Sequence, residues 1–306
     1  MFTTNYTAHG KVILLGEHAV VYGYDALAVP VQSLKIKTTV SANPRISTLE
    51  TFGYTGSFNN APHDYDGLKY VVKTLQEKAT RPTPVTIHYE GKIPMQRGLG
   101  SSATVALGTT HALSDYLSVK LTEPEIMAIT NHAEAITHGK ASGLDAVSVN
   151  STRALFFNTK EGATFMSGKL GNGAILLIMD TGDLGSTKEA VMHVHQKLTD
   201  HPQFKSDMRE LGRLAREAKK AWETHDQKQL GHEFNQAQHL LRDFDLSTPK
   251  IDQLCQLANQ SGALGAKLSG SGLGGIVIAL CSDQRIAERI IEKSQDLIAH
   301  AWTEEI

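Results

Sequence analysis

Blocks of apolar residues separated by polar, glycine-bearing breaks set out the first half of the chain. Lys11-Val12-Ile13-Leu14-Leu15 is a nearly continuous apolar run and predicts a buried strand ending at Gly16. Residues 26–31 and 33–41 read as two further strands. In the second, Lys35, Lys37 and Thr39 alternate with Ile36, Thr38 and Val40, the period of a sheet with one wet face. Residues 43–60 are rich in Gly, Asn, Ser and Thr and read as loop or hairpin. Leu68, Val71, Val72 and Leu75 recur at helical spacing and predict a helix over 66–78. Pro82 and Pro84 break the pattern, 85–89 is a strand, and Ile93-Pro94 leads into a glycine-bearing stretch.

A helix is expected from Ser102 to about Leu117. A second begins near Thr122, with Pro124 in its first turn, and stops at Gly139. Lys140-Ala141-Ser142-Gly143-Leu144 reads as a loop leading to Asp145. Residues 155–158 form a strand, 160–173 a hairpin, and 174–180 a continuous apolar strand. Ser186-Thr187-Lys188-Glu189 has the spacing of a capping box. It opens a helix-rich stretch: 186–198, 205–223, 227–244 and 250–259. Strands at 263–268 and 276–280 enclose Ser269-Gly270-Ser271-Gly272-Leu273-Gly274-Gly275, and a terminal helix from 284 to about 299 closes the chain. No repeat of solenoid period is present. The swing to helix near residue 170 marks a domain boundary, giving 1–170 and 171–306.

Composition narrows the class. The chain has 306 residues, room for one large domain or two sharing a core, and a formal net charge of −2. No basic excess points to nucleic acid or to an anionic membrane as partner. Two cysteines, Cys255 and Cys281, are too few for a disulfide scaffold and fit a reducing cytoplasm. The first six residues lack the basic and apolar regions of a signal peptide. The longest apolar runs (12–15, 174–179 and 276–281) are too short to span a bilayer. A cytoplasmic protein is expected.

Candidate chemistry centres on Pro94-Met95-Gln96-Arg97-Gly98-Leu99-Gly100-Ser101-Ser102-Ala103-Thr104. Gly98 and Gly100 permit a tight turn and close approach to a ligand, and Ser101 or Ser102 is placed to cap the helix that follows. A glycine loop opening a helix offers free N–H groups and a positive dipole end, which suits a phosphate. Alone, it also fits an ordinary glycine turn with a serine cap. The loop over 270–275 could approach the same ligand. Neither loop has the G-x-x-x-x-G-K-[ST] of a P-loop or the strand–G-x-G-x-x-G–helix of a Rossmann site.

Three stretches together carry a family resemblance. Gly10 through Leu15 and then Gly16-Glu17-His18-Ala19-Val20-Val21-Tyr22-Gly23 resemble the amino-terminal motif of mevalonate kinases. Pro94 to Ala103 resembles the P-x-x-x-G-L-G-S-S-A phosphate loop of the GHMP kinases (galactokinase, homoserine kinase, mevalonate kinase and phosphomevalonate kinase). Ala266-Lys267-Leu268-Ser269 with Gly270–Gly275 resembles their third, glycine-rich motif. Order and spacing match from residue 10 to 275. Gly-Glu-His-Ala-Val-Val-Tyr-Gly is the mevalonate kinase form; phosphomevalonate kinases usually carry Gly-Glu-Tyr-Ala-Val. Ser142-Gly143-Leu144-Asp145, eleven residues after Glu134, is similar to that family's Ser-Gly-Ile/Leu-Asp. Gly185 stands where animal enzymes have arginine, and Leu273 where they have glycine; both resemble the shorter bacterial branch.

The resemblance implies an α+β, two-domain GHMP kinase fold, with an amino-terminal domain like the second domain of ribosomal protein S5 and a ferredoxin-like carboxy-terminal domain. It implies ATP-dependent phosphorylation of the 5-hydroxyl of mevalonate, for isoprenoid synthesis. ATP phosphates are expected on Pro94, Met95, Gln96, Arg97, Gly98, Leu99, Gly100, Ser101, Ser102, Ala103 and Thr104, with Gly270, Ser271 and Gly272. Ser102 and Glu134 resemble the ligands of Mg2+, a sparse oxygen set that suits an ion keeping water and phosphate oxygens. Asp145 is expected to take the substrate proton. Lys11 is expected to stabilise the attacking oxygen and the transferred phosphoryl group. Glu17, His18, Ser142 and Thr187, with Lys11 and Asp145, are the candidate substrate contacts. The alternatives are another GHMP kinase, such as phosphomevalonate kinase, or a non-catalytic member that binds nucleotide or metabolite. A homodimer is the oligomeric expectation.

Other signals lead nowhere. His132-x-Glu134 lacks the P-C-x-x-C of zinc deaminases. His193 and His195, two apart on a helix, do not face one another. His225, His232 and His239, spaced by seven, predict a solvated helix stripe.

Overall fold

A computed structural model describes residues 2–51, 53–139 and 141–306. Met1, Phe52 and Lys140, which fall within the expected amino terminus, the 43–60 segment and the loop before Asp145, lie outside the described residues. The chain gathers into two compact units that interleave: Met1–Gly10, Leu34–Met95 and Gly100–Asn150 in the first, Lys11–Ser33, Gln96–Leu99 and Ser151–Ile306 in the second. A cut at residue 170 would leave each part continuous. The units instead interleave because two long strands, β1 (Thr3–Leu15) and β2 (Ala26–Ala42), each begin in one unit and end in the other.

The two strands expected at 26–31 and 33–41 are a single strand, β2. The polar pair Gln32-Ser33 does not interrupt it, because the Glu304 carboxylate accepts both backbone N–H groups, at 3.0 and 3.2 Å.

In the first unit, β2 pairs antiparallel with β5 (Val85–Gly91), from Ile36 opposite Gly91 to Ala42 opposite Val85. The 43–60 segment supplies the hairpin of β3 (Thr48–Glu50) and β4 (Thr55–Ser57), with β3 parallel to β5. Helices α1 (Asp66–Lys78), α2 (Ser101–Leu117) and α3 (Glu123–His138) pack on one another. Ala8, Ala103, Leu107, Ile126 and Val149 form one core cluster, with Tyr6 and Leu121 packed against it. Thr122 and Glu125 close a capping box at the start of α3. The sequence pattern misses α4 (Leu144–Val149), whose six residues are too few to display a period.

In the second unit, β6 (Leu155–Asn158) pairs with the first half of β2 and with β7 (Gly162–Phe165). Beyond them come β8 (Ile175–Asp180), α5 (Thr187–Asp200), α6 (Phe204–Glu223), α7 (Gln227–Asp243), α8 (Pro249–Gln260), β9 (Gly265–Ser269), β10 (Ile276–Cys281), α9 (Gln284–Lys293) and β11 (His300–Glu305). The last four strands make an antiparallel sheet of order β11-β8-β10-β9. β10 lies between β8 and β9 and is buried throughout, which explains its unbroken apolar run. Helices α7 and α8 pack on β9.

Two expectations change here. The terminal helix stops at Lys293, and the chain returns as β11, which pairs with β8 at the edge of the sheet. As a half-exposed edge strand, His300-Ala-Trp-Thr-Glu-Glu lacks the apolar alternation that would announce it. His225 is not on the helix stripe. Asp226 caps α7, accepting from the Gln229 N–H at 2.9 Å, and the His225 ring lies against the Leu170 carbonyl at 2.8 Å, while His232 and His239 are exposed on α7.

Candidate active site

The end of β1 brings Lys11, Glu17 and His18 into the second unit. Lys11 is buried, and its backbone N–H donates to the Leu99 carbonyl at 3.0 Å, tying β1 to the first glycine loop. Glu17 is fully buried and pairs with Lys267 of β9, which is also fully buried. Burial pushes the Glu17 carboxyl up and the Lys267 ammonium down. Each partner's charge resists the other's shift, and Lys11 adds to the hold on Glu17.

His18 sits at φ 58°, a left-handed conformation uncommon outside glycine and strained. Its Nε2 lies 2.9 Å from the Ser271 carbonyl, so that nitrogen carries the proton and donates, leaving Nδ1 as acceptor. Burial holds the ring neutral, with its pKa down to about 4.

The second loop meets the first backbone to backbone. A Cβ on Gly98 would lie 3.0 Å from the Ser269 carbonyl, and one on Gly270 would lie 3.0 Å from the Gly98 Cα. Only hydrogen side chains allow this approach. Arg97 anchors the same loop: its Nε lies 3.3 Å from the buried Asp180, and its Nη2 donates to the Gly182 carbonyl at 2.9 Å. Ser271 and Gly272 follow in the second loop, and the Gly272 carbonyl abuts Gly185. Two residues on, Thr187 opens α5 behind its cap, Ser186, which accepts from the Glu189 N–H at 3.2 Å.

In the first unit, α2 starts at Gly100, which takes the N-cap position at φ 74° with no side-chain capping bond. The expectation that Ser101 or Ser102 caps the helix is corrected. Both serines lie inside the first turn, Ser101 buried and Ser102 half-buried. Their position leaves the first-turn N–H groups to an external acceptor. Thr104 Oγ1 donates within the protein, to Gly100 O at 2.8 Å and His9 O at 3.1 Å. Pro94 is half-buried, Met95 and Gln96 are exposed, and Ala103 is in the core.

Glu134 on α3 is 3% exposed, with the His138 Nε2 3.7 Å from its carboxylate. Asp145 lies in the first turn of α4, which starts at Gly143 (φ 91°). Ser142 Oγ accepts from the Leu144 N–H at 3.2 Å and shapes that start.

The GHMP kinases N terminal domain model matches residues 67–151, and the GHMP kinases C terminal model matches 201–297. The mevalonate kinase of Thermococcus sibiricus is 31% identical over 301 residues, spanning 91% of this chain and 89% of that protein. The chain belongs to the GHMP kinase family. Its fold is the two-domain α+β fold of that family. The L. major mevalonate kinase in complex with R-mevalonate matches with a TM-score of 0.83 at 25% identity, over 98% of this chain and 95% of that one. The mevalonate kinase from methicillin-resistant Staphylococcus aureus MRSA252 matches with a TM-score of 0.76 at 29% identity, over 100% and 99%.

Sequence reasoning assigned no role in this GHMP kinase to Lys267, Ser269 or Asp180. One signal was present: a lysine in the middle of a strand whose neighbours, Ala266 and Leu268, are both core residues. A charge there needs a buried partner.

Proposed function

We propose that this GHMP kinase transfers the γ-phosphoryl group of ATP to the 5-hydroxyl of mevalonate, giving 5-phosphomevalonate and ADP. The observation that carries the reading is similarity to mevalonate kinases along nine-tenths of the chain, with Gly16-Glu17-His18-Ala19-Val20-Val21-Tyr22-Gly23 in the mevalonate kinase form.

The first-turn N–H groups of α2 and the loops 96–100 and 270–272 hold the nucleotide phosphates. Asp145 accepts the proton of the substrate hydroxyl as its oxygen bonds to the γ-phosphorus; the bond to the β–γ bridging oxygen breaks, and ADP departs. Lys11 offsets the charge on the attacking oxygen and the transferred group. Glu17, His18, Ser142 and Thr187 orient the alcohol, with His18 acting as a neutral imidazole.

Ser102 and Glu134 are the residues that would hold Mg2+. Both donors are hard oxygens. Among the described residues no group of three or more His, Cys, Asp or Glu forms a cation cage, so the set fits an ion that draws most of its ligands from phosphate and water. When bound, the metal neutralises charge on the phosphate oxygens.

Cytoplasmic residence is supported by two buried free cysteines and by the absence, among the described residues, of any helix long and apolar enough to cross a membrane. Light scattering tests the homodimer.

A coupled ADP-release assay with mevalonate, phosphomevalonate, galactose and homoserine tests the substrate. Turnover with mevalonate is expected; turnover with another alcohol and none with mevalonate would overturn the reading.

A further inference from the structure

We propose that Lys267 is a positioning residue for the alcohol substrate: its buried ion pair with Glu17 aims the carboxylate so that one oxygen is left for a ligand hydroxyl. The inference rests on the reading above that Glu17 grips the substrate. Lys267 Nζ donates to Glu17 Oε1 and to the Leu268 carbonyl, the latter at 2.6 Å. Glu17 Oε2 is buried and has no hydrogen-bond partner. A carboxylate held at one oxygen and unsatisfied at the other, deep in the protein, is costly unless a donor arrives.

Lys267 belongs to a pattern. Lys267, Ser269 and Ser271 are alternate positions along β9 and the loop after it, and each holds the end of β1 or the turn behind it. Lys267 takes the Glu17 carboxylate. Ser269 Oγ accepts from Ile13 N–H at 3.2 Å and donates to Ile13 O at 2.8 Å. The Ser271 carbonyl accepts from His18. Two of these contacts fix backbone or ring and would survive loss of the lysine. The lysine contact fixes only the carboxylate. A well-packed apolar pair would serve stability as well as a buried ion pair, so stability alone does not account for the charges.

Around the pair lie Lys11 on β1, Cys255 on α8 and the Phe234 ring on α7, 6.0 Å from Lys267 Nζ. His193 on α5 acts on the neighbouring His18.

The test uses the full chain. Lys267→Met strands a carboxyl in the core; it should lower the melting temperature and move the acid limb of kcat/KM for the alcohol to higher pH. Glu17→Gln with Lys267→Met removes both charges. We expect that double variant to recover most of the melting temperature but to keep the KM for mevalonate about tenfold or more above wild type, the scale of one charge-assisted hydrogen bond, with the KM for ATP nearly unchanged. Wild-type kcat/KM for mevalonate in the folded double variant would reduce Lys267 to a structural role.

Glu17→Asp keeps both charges but shortens the reach of the carboxylate by one methylene, and it decides the matter if the double variant does not fold. A raised KM for mevalonate supports the proposal, and an unchanged one overturns it. Failure of the wild-type protein to phosphorylate mevalonate would overturn the substrate reading instead; the same KM comparison, made with whichever alcohol the wild type uses, still tests Lys267.

Discussion

Gly275→Ala is a direct test of how tightly the two glycine loops are braced. Gly275 sits at φ +77°, and a Cβ added there would lie 2.9 Å from the Arg97 carbonyl oxygen. Neither side is free to yield. The Gly275 N–H donates to Asp183 O at 2.9 Å, and the Gly275 carbonyl accepts from the Thr181 N–H at 2.9 Å and its Oγ1 at 2.8 Å. Arg97 is held by Asp180 and Gly182. An alanine in left-handed backbone costs about 1–2 kcal/mol. Overpacking against fixed backbone adds about 1–3 kcal/mol, for a total of about 2–5 kcal/mol.

Gly139→Ala is the internal control. Gly139 has φ +83°, but a Cβ there meets nothing within 4 Å, so only the backbone cost of about 1–2 kcal/mol applies. At about 2 °C per kcal/mol for a chain of this size, scanning calorimetry should show Gly275→Ala melting about 4–10 °C below wild type and Gly139→Ala about 2–4 °C below. Displacement of Arg97 should also raise the KM for ATP in the Gly275 variant. Equal melting temperatures for the two variants would refute the contact between the loops.

Asp145→Asn should lower kcat by about 100-fold or more while ATP affinity, read by calorimetric titration, stays near wild type; wild-type turnover would remove Asp145 from the chemistry. His18, with its folded pKa of about 4 below the unfolded value of about 6.5, makes the unfolded chain the better proton binder between those values. Its stabilising contribution is complete above about pH 6.5 and is lost as pH falls toward 4, by up to about 3 kcal/mol. Urea unfolding at pH 7 and pH 4.5 should therefore show a larger acid-induced loss in wild type than in His18→Gln, and equal losses would contradict the assignment. Burial lifts both Cys255 and Cys281 thiols to about 12, so both should resist a disulfide reagent in the native protein and react on denaturation; fast native labelling would refute their burial.

Much of this architecture is local and was legible. Four apolar residues at helical spacing gave α1 with the bounds the structure has, and Thr122, Pro124 and Gly139 bracketed α3. What escaped lacked a local signal. Helix α4 is too short for periodicity, and β11 is an edge strand without apolar alternation. The join within β2 depends on Glu304, a residue far along the chain. The site divides in the same way. The glycine loops and the Gly-Glu-His turn are sequence motifs, whereas the partners that fix them, Lys267 for Glu17 and Asp180 for Arg97, come from strands distant in sequence. Only the misfit of a charge inside an apolar strand hinted at the first.

Among the described residues four α-helix starts lack a capping bond from the N-cap side chain: α1 behind Tyr65, α6 behind Gln203, and α2 and α4 behind glycines. Side chains cap α3, α5, α7, α8 and α9: Thr122 with Glu125, then Ser186, Asp226, Thr248 and Asp283. Helix α2 does otherwise, although Ser101 and Ser102 are at hand, and so does α4, where Ser142 Oγ, one residue before the N-cap, accepts from the Leu144 N–H at 3.2 Å. Each begins at a left-handed glycine, Gly100 or Gly143, which has no side chain to cap with. Omitting a cap forgoes about 1 kcal/mol. In both helices the candidate reactive residue, Ser102 or Asp145, is the second residue of the first turn, and at α2 that turn lies at the positive end of the helix dipole. A serine cap on α2 would occupy an N–H group that a phosphate oxygen would otherwise take. A missing side-chain cap alone marks no site, since α1 and α6 lack one too; what α2 and α4 share is a left-handed glycine start with a candidate reactive residue in the second position of the first turn.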